Sequence, residues 1–390
     1  MANSVLITVP ATTANVGPAF DALGIALSLT LVVEATFPTP ATSIVHFPES
    51  DGVPTDPERN LIAQTAIFVA RSLKRSLPNY ALRVTNNIPL SRGLGSSASA
   101  LVAGVLLANA LLKLDLTQQR VLEFVSVIEG HPDNVAPALL GGCVSSIISD
   151  ALHALHLQVA DYWTTSLLPK IPANSPQFQI PVLPPSVSSA PMVSSLSIPL
   201  PESITFLAFV PDYSLPTTLS RSVLPDVYPK HDVIFNLQRV AILVGALTLG
   251  AATPPLAKSI SNSCLPLWTT HLRLALTDRI HQPHRTSLIP GFDALQIVIQ
   301  EINASTPIHP LSNLLGIVLS GAGPTLLAIL ASPDTNGIVA QHVKSVLEKY
   351  NVPEYARRKG LGGEAEKERR VCIDVVELSV AGGATTEYLA

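Results

Sequence analysis

The residues best suited to bind a phosphate lie in one glycine-rich turn, GLGSS at 93–97, which precedes a long apolar segment. Glycine adopts backbone conformations that are closed to other residues, so several N–H groups can converge on one anion. A helix that begins after the turn adds unpaired N–H groups and a partial positive charge, and both favour phosphate. The serine hydroxyls can cap this helix, bind phosphate or coordinate Mg²⁺. The turn is not a P-loop, since no lysine precedes the serine, and it is not a GxGxxG fingerprint.

A second glycine cluster, at residues 360–363, shows how little such a turn means by itself. The charged sequence EAEKERR follows it instead of an apolar helix, so we predict a solvated loop over residues 357–369. The turn at 93–97, taken alone, is equally consistent with an ordinary strand-to-helix connection whose serines cap the helix.

The elements that must position the turn alternate irregularly between strands and helices. Apolar patterns predict strands at 4–9, 25–35, 80–85, 204–210, 316–319, 326–330 and 370–379, and helices at 60–73, 98–112, 116–129 and 340–350. This irregular order predicts an α+β protein of two lobes. We assign residues 1–148 to an amino-terminal lobe with the phosphate loop at 89–99, and residues 204–390 to a carboxyl-terminal lobe. Residues 149–203, rich in Pro and Ser, predict an irregular excursion.

The composition excludes several classes of protein. Of 390 residues, 47% are hydrophobic and 13% are charged, which excludes an intrinsically disordered chain. The net charge is −4 and no basic stripe is present, so we expect no nucleic-acid partner. Three scattered cysteines predict a reducing, intracellular compartment. The amino terminus lacks a signal-peptide pattern, and the apolar run at 240–252 is shorter than the ~20 residues of a membrane span. We therefore predict a soluble, cytoplasmic protein without a membrane partner.

Four segments, in order along the chain, resemble the motifs of the GHMP kinase superfamily in the form found in fungal homoserine kinases. The sequence VPATTANVGPAFDALG at 9–24 looks like the first motif, and the turn within 88–104 looks like the second. EGHPDNVAPALLGG at 129–142 is similar to a segment characteristic of homoserine kinases, and LSGAGPTLLAI at 319–329 looks like the third motif. The segments at 232–239 and 278–291 also fit, so the resemblance covers nearly the whole chain.

The resemblance implies an ATP-dependent kinase that phosphorylates the side-chain hydroxyl of L-homoserine on the route to threonine, with ATP and Mg²⁺ as cofactors. It also implies an amino-terminal lobe shaped like ribosomal protein S5, a ferredoxin-like carboxyl-terminal lobe and an active site between them. A homodimer is common in the family and is expected here. Two alternatives stay open: a catalytically silent relative that binds a nucleotide or an amino acid, and a kinase of another small alcohol such as mevalonate.

Homoserine is a small zwitterion, so its site needs an anion clamp and acceptors for an ammonium group. A guanidinium group offers a planar, bidentate fork for a carboxylate, and the resemblance assigns this role to Arg221 and Arg285. The family's threonine four residues before an arginine is kept as Thr217 and Arg221. The other substrate-binding residues that the resemblance implies are Asn15, Asp21 and His131.

The resemblance also implies the residues that bind the nucleotide and the metal. Those for ATP are Asn60, near the adenine, and Pro89, Leu90, Ser91, Arg92, Gly93, Leu94, Gly95, Ser96, Ser97, Ala98 and Ser99. Mg²⁺ requires oxygen ligands, and the family implies Ser97 and a glutamate. Glu129 and Glu123 both precede the sequence HPDN, and local spacing does not choose between them. We favour Glu129, which belongs to the better-matched segment.

The resemblance further implies catalysis without a strong general base. Asn134 stands where some kinases of the superfamily have an aspartate base, and an amide cannot take a proton at neutral pH. Phosphoryl transfer through a loose transition state requires mainly positioning and charge neutralisation. We therefore expect Asn134 to orient the substrate oxygen, with Asp21 and Arg221 as the other catalytic residues. Asp133 stays open as a base or as a structural hydrogen-bonding residue.

Overall fold

The computed structural model describes residues 3–47, 53–164, 191–253, 266–304, 311–353, 356 and 370–389. The predicted loop at 357–369, with its glycine cluster, and the middle of the predicted excursion, residues 165–190, lie outside the described residues. The strands are β1 (Asn3–Ala14), β2 (Leu23–Phe37), β3 (Ser43–Phe47), β4 (Ala81–Asn86), β5 (Cys143–Ile148), β6 (Val193–Ile198), β7 (Thr205–Pro211), β8 (Leu314–Leu319), β9 (Leu326–Leu330), β10 (Ile373–Leu378) and β11 (Thr385–Leu389).

The helices are α1 (Leu61–Ser72), α2 (Ser96–Leu112), α3 (Gln118–Glu129), α4 (Pro132–Leu140), α5 (Asp150–Thr164), α6 (Thr217–Ser222), α7 (Lys230–Ala252), α8 (Leu267–Ala275), α9 (Gln282–Arg285), α10 (Phe292–Ala304) and α11 (Ile338–Leu347). The helices predicted at 60–73, 98–112, 116–129 and 340–350 are confirmed as α1, α2, α3 and α11, with ends that differ by a few residues. Asn60 and Thr117 cap α1 and α3 through their side chains, as short polar residues at helix starts commonly do.

The described strands form two sheets, which confirms the predicted α+β class. The larger sheet has the order β11-β1-β2-β4-β3, and β5 and β6 extend it from one end of β2. The smaller, antiparallel sheet has the order β10-β7-β9-β8. Side chains alternate across β7: Phe206 and Ala208 belong to the core shared with α7, α8 and the larger sheet, whereas Leu207 and Phe209 belong to a second core with α10 and α11.

Strand β1 carries the first motif from the larger sheet toward the smaller one. Val5, Ile7 and Val9 are fully buried at alternating positions, as expected for a strand with one face on the core. The register with β2 shifts between Pro10 and Ala11, and every residue from position 9 to position 14 is buried. The bulge ends the simple alternation, so neighbouring side chains at the end of β1 are both enclosed.

Helix α2 is enclosed on all sides because its sequence is apolar around its whole circumference. It packs against α1 and β1. The approach to α1 is close at Gly104, where an added Cβ would lie 2.4 Å from the Thr65 Cβ. A helix held this tightly fixes the position of its first turn.

The prediction of an irregular excursion at 149–203 is wrong at both ends. Residues 150–164 contain no proline and form α5. Residues 193–198 lie between Pro191 and Pro199 and form β6, which pairs with β5 in the larger sheet. The assignment of everything after residue 204 to one lobe also fails at the end of the chain, because β11 pairs with β1.

Helix α7 is longer than the apolar run at 240–252. It has 23 residues and a mean hydropathy of 1.7 in its most apolar window, and 28% of that window is buried. By length and composition this helix is able to cross a membrane, so the prediction that the segment is too short is wrong. Its buried side chains include Leu243, Ala246 and Leu247, and it packs against α8.

Candidate active site

A cavity of about 380 Å³ lies beside the larger sheet and the start of α2, and its wall contains most of the residues singled out in the sequence. The volume suits a small-molecule site. The predicted site residues that line it are Asn15, Asn60, Leu90, Ser91, Arg92, Gly93, Leu94, Gly95, Ser96, Ser97, Ala98, Glu129, His131, Asn134, Thr217, Arg221 and Arg285. Pro89, Ser99, Asp21 and Glu123 are not part of the wall. Residues as far apart in the sequence as Asn15 and Arg285 therefore meet around one space.

The start of α2 forms one end of this cavity. Gly95 is the N-cap residue, with φ of +69°, and no side chain caps the helix. The alternative of an ordinary turn whose serines cap α2 is therefore wrong. An uncapped helix start keeps its first N–H groups free for an anion.

The carbonyl groups that precede α2 are all held by other segments. The Arg92 carbonyl accepts from the Thr325 N–H at 3.3 Å, and the Leu94 carbonyl accepts from the Thr12 N–H at 3.1 Å. The Gly93 carbonyl accepts from the Ser320 Oγ at 2.7 Å. Because the first and third motifs bind the carbonyls of the turn, the turn is fixed with its N–H groups on the side of the cavity.

The two glycines of the turn are required by space as well as by conformation. Gly93 has φ of +77°, and an added Cβ would lie 2.2 Å from the Ser320 carbonyl oxygen. At Gly95 an added Cβ would lie 1.9 Å from the Thr12 Oγ1. Both distances are far inside van der Waals contact, so any side chain would displace the turn or the strand beneath it.

Three residues assigned to the nucleotide have structural partners. Ser99 is buried, and its hydroxyl donates to the Pro10 carbonyl at 2.8 Å. The Arg92 Nε donates to the Pro211 carbonyl at 2.9 Å, which links the turn to the end of β7. The Asn60 Oδ1 accepts from two N–H groups of α1, and its Nδ2 donates to the Pro54 carbonyl at 2.9 Å. Ser99 therefore braces the turn, and Asn60 lines the cavity with its polar atoms already bonded.

Arg285 also lines the cavity and is 1% exposed. Its Nε donates to the Ser220 carbonyl at 3.1 Å, and its Nη1 donates to the His281 Nδ1 at 3.1 Å. None of the described acidic residues forms an ion pair with it. Burial, with a smaller contribution from the positive charge of Arg221, lowers the pKa of Arg285 to about 10, so the group is charged at neutral pH. A buried cation that faces a cavity without a counter-ion is a site for an anion.

His281 holds Arg285 in place as a neutral side chain. It is fully buried, and its Nε2 lies 2.7 Å from the Gly17 carbonyl oxygen. Nε2 therefore carries the proton and donates, while Nδ1 accepts from Arg285. Burial lowers the pKa of His281, which keeps this tautomer uncharged.

Arg221 differs from Arg285 because it already has an acidic partner. Its Nη2 and Nη1 donate to the two carboxylate oxygens of Asp21 at 2.8 and 3.1 Å. Thr217, one turn earlier on α6, also lines the cavity. Asn15 joins this group to the third motif: its Oδ1 accepts from the Asp21 N–H, and its Nδ2 donates to the Gly321 carbonyl at 3.1 Å.

Three titratable groups lie together at the start of α4. The His131 Nδ1 is 2.5 Å from the Asp133 Oδ1. Burial alone would lower the pKa of His131, but the charge and hydrogen bond of Asp133, with the charge of Glu129, raise it to about 9. Burial raises the pKa of Glu129; the charge of His131 opposes this shift and that of Asp133 adds to it. Asp133 is 2% exposed and bonded to His131, which favours its structural role.

The oxygen atoms suited to Mg²⁺ are those of Ser97 and Glu129, both in the cavity wall. Ser97 is exposed, whereas Glu123 is buried outside the cavity and bonded to Arg120 at 2.8 Å. Asp21, His131 and Asp133 also bring ligand atoms within 4.8 Å of one another. Arg221 and His131 already neutralise those two carboxylates, so this cluster fits an ion-pair network better than a metal site.

Part of the wall has no signal in the sequence. It consists of residues from β2, β3, the segment before α1, the start of α1 and β4: Leu31, His46, Val53, Pro54, Arg59, Leu61, Ile62, Val84 and Asn86. These are ordinary strand, loop and helix residues, and only the tertiary structure brings them together as a surface. Thr12, beneath Gly95, was missed for the same reason.

Comparisons with known proteins agree with this geometry. Residues 60–142 match the family described as GHMP kinases N terminal domain. The chain is 37% identical over 344 residues to the homoserine kinase of Saccharomyces cerevisiae, covering 84% of this chain and 89% of that protein. It is 39% identical over 339 residues to the homoserine kinase of Candida albicans, covering 83% and 87%.

Solved structures resemble the fold. A homoserine kinase from Cytophaga hutchinsonii has a TM-score of 0.64 at 22% identity and covers 99% of this chain and 97% of its own. A phosphomevalonate kinase from Streptococcus pneumoniae has a TM-score of 0.56 at 14% identity, with 98% and 100% covered. At these identities the structures support the architecture alone.

Proposed function

The chain belongs to the homoserine kinase family of the GHMP kinases and phosphorylates homoserine with ATP in threonine biosynthesis. From this premise we propose where in the cavity ATP and homoserine bind. The triphosphate of ATP binds at the turn before α2, and homoserine binds beside it, at Arg285. The catalytically silent alternative is not favoured by the comparisons.

The single observation that carries the substrate assignment is Arg285. Its guanidinium is buried, charged and without an acidic partner among the described residues, and it faces the cavity. A carboxylate is the anion whose two oxygens match a guanidinium fork. We assign the homoserine carboxylate to Arg285, with Arg221 and Thr217 on the adjacent wall and Asn15, Asp21 and His131 near the ammonium and hydroxyl groups.

The triphosphate assignment rests on the backbone of residues 93–98. The uncapped start of α2 and the carbonyl bonds that fix the turn leave N–H groups for phosphate oxygens. Ser97 and Glu129 would hold Mg²⁺, since both offer oxygen in the cavity wall. Mg²⁺ supplies charge neutralisation at the phosphate oxygens when it is bound.

The reaction follows from this division. The homoserine hydroxyl oxygen forms a bond to the terminal phosphorus while the bond from that phosphorus to the ADP oxygen breaks. In a loose transition state the hydroxyl keeps its proton until late and then releases it to a phosphoryl oxygen or to water, so precise alignment outweighs a strong base. Asn134, in the cavity wall, aligns the reacting groups, and Arg221 with Asp21 balances the charge around them.

The experiment that tests the substrate assignment is Arg285→Ala. We expect the KM for homoserine to rise about a hundredfold, because a buried charge pair is lost, while the KM for ATP stays within about twofold. The matched control is Arg279→Ala, an arginine whose side chain is 47% exposed, which pairs with Asp232 outside the cavity wall. Equal effects of Arg285→Ala on both KM values would contradict the assignment, and turnover of mevalonate instead of homoserine would contradict the reaction.

We propose that the protein is a cytoplasmic homodimer without nucleic-acid or membrane partners. The exposed Ile234, Leu237 and Ile242 of α7 offer an apolar surface that self-association would cover. Sedimentation of the purified protein at several concentrations tests the dimer.

A further inference from the structure

Thr12 lies beneath the catalytic cavity and contacts both the glycine turn and Asn134. Its side chain is fully buried at the end of β1. Its N–H donates to the Leu94 carbonyl of the turn, and its Oγ1 lies 2.8 Å from the Asn134 Oδ1. The same Oγ1 occupies the space next to Gly95, where no Cβ would fit.

The bond between Thr12 and Asn134 determines which way the Asn134 amide faces. The two orientations of an amide are distinguished by their hydrogen bonds. If the Asn134 Nδ2 pointed to Thr12, the buried hydroxyl would have to find another acceptor, and none of the described residues accepts from it. An unpaired buried donor costs free energy, so the hydroxyl donates to Oδ1 and the Nδ2 faces the cavity.

We propose that Thr12 is a positioning residue that fixes the Asn134 amide with its N–H donors toward the transferred phosphoryl group. This inference rests on the proposed function, because it gives Asn134 a defined chemical role there. The amide then donates to a phosphoryl oxygen and stabilises the charge that spreads over these oxygens in the transition state. It does not take the hydroxyl proton of the substrate, since an amide is not a base at neutral pH.

The first test compares Thr12→Val with Thr12→Ser. Valine has nearly the same shape as threonine but lacks the hydroxyl, so we expect kcat to fall about tenfold while both KM values stay within about twofold. Serine keeps the hydroxyl and is expected to keep kcat within about twofold of the original. A KM increase without loss of kcat, or equal losses in both variants, would overturn the proposal.

A double-mutant cycle separates positioning from general stability. If Thr12 acts through Asn134, Thr12→Val causes no further loss of kcat in an Asn134→Ala background. The same tenfold loss in both backgrounds would overturn this inference and leave the proposed function intact. An Asn134→Ala variant with unchanged kcat would remove the proposed role of Asn134 and this inference with it.

The matched control is Thr269→Val, which removes the hydroxyl of another buried threonine. That hydroxyl donates to the Pro266 carbonyl at the start of α8, outside the cavity wall. We expect kcat to stay unchanged. A loss similar to that of Thr12→Val would show that removing any buried threonine hydroxyl disturbs the enzyme, and would overturn the proposal.

A further variant keeps the inference testable if Thr12→Val does not fold. Asn134→Asp retains an oxygen that accepts from Thr12 but replaces the N–H donors by a second acceptor. We expect it to lose as much kcat as Asn134→Ala, with native circular dichroism. Activity at or above that of the original enzyme would show that an acceptor is needed at this position, and would overturn the proposal.

Discussion

The phosphate-binding and substrate-binding parts of the cavity use different kinds of chemical group. At the start of α2 the binding groups are main-chain N–H groups. Their arrangement requires that Gly93 and Gly95 have no side chain. In the part of the cavity around Arg285 the binding groups are charged side chains, above all Arg285 and the pair of Arg221 with Asp21. The phosphate-binding part depends on backbone conformation, and the substrate-binding part depends on buried charge.

This difference affects how each end responds to change. Main-chain groups carry no proton that titrates in the physiological range, and their direction is fixed by hydrogen bonds from two other motifs. Buried charges cost free energy unless they have partners. Arg285, which has no acidic partner among the described residues, gains one only when an anion enters. We therefore expect phosphate binding to be sensitive to substitutions that change the shape of the turn, and substrate binding to substitutions that remove a charge.

The most severe test of the main-chain end is Gly95→Ala. The added Cβ would meet the Thr12 Oγ1 and the residue would keep φ of +69° only under strain. We expect kcat/KM for ATP to fall about a thousandfold, because the donors lose their alignment. Calorimetric titration with a non-hydrolysable ATP analogue measures the loss of binding.

The control for this variant is Gly245→Ala in α7, where an added Cβ meets nothing within 4 Å. Alanine is the better helix former, so this protein should be as stable as the original or slightly more so, with normal activity. If Gly95→Ala binds the ATP analogue as well as the Gly245→Ala protein, the main-chain interpretation is wrong.

The charged end is expected to give stability a pH dependence. The pKa of His131 is raised from 6.5 to about 9 in the folded protein. Its contribution to stability is therefore complete below about pH 6.5 and is lost as the pH rises through about 9. The size is on the order of 3 kcal/mol. Urea unfolding at several pH values, without ligands, measures it.

His131→Asn is the comparison for this pH dependence. The difference in unfolding free energy between the two proteins should shrink as the pH rises from about 6.5 to 9. The reverse trend would mean that Asp133 and Glu129 do not hold the imidazole in its charged form.

The smallest expected effect distinguishes the two arginines. Arg221 is half-buried, with 37% of its side chain exposed, and is already paired with Asp21. Arg221→Ala should raise the KM for homoserine only about tenfold, less than the change expected for Arg285→Ala, because solvent and Asp21 screen its charge. Steady-state kinetics on both variants show which substitution raises the KM for homoserine more. A larger effect for Arg221→Ala would reverse the assignment of the carboxylate.

Local features of this molecule could be predicted well. Asn60 and Thr117 precede apolar periodic segments, and each caps the helix that follows. The turn at 93–97 joins a strand region to an apolar helix, as its composition predicts. The predictions that failed were based on composition instead of on a local pattern. The prolines concentrated at 181–201 concealed β6, which lies among them, and α5, which precedes them.

The sequence by itself determined the elements that depend on neighbours along the chain: the glycine turn, the apolar helix behind it and the motifs that resemble those of a kinase family. Only the tertiary structure decided which side chains remain free to act. Ser99 and Asn60 carry suitable chemistry but bond to Pro10, Pro54 and the start of α1, whereas Arg285 is enclosed without an acid. The reason is that burial and hydrogen-bond partners come from segments far apart in the chain, and no local pattern records them.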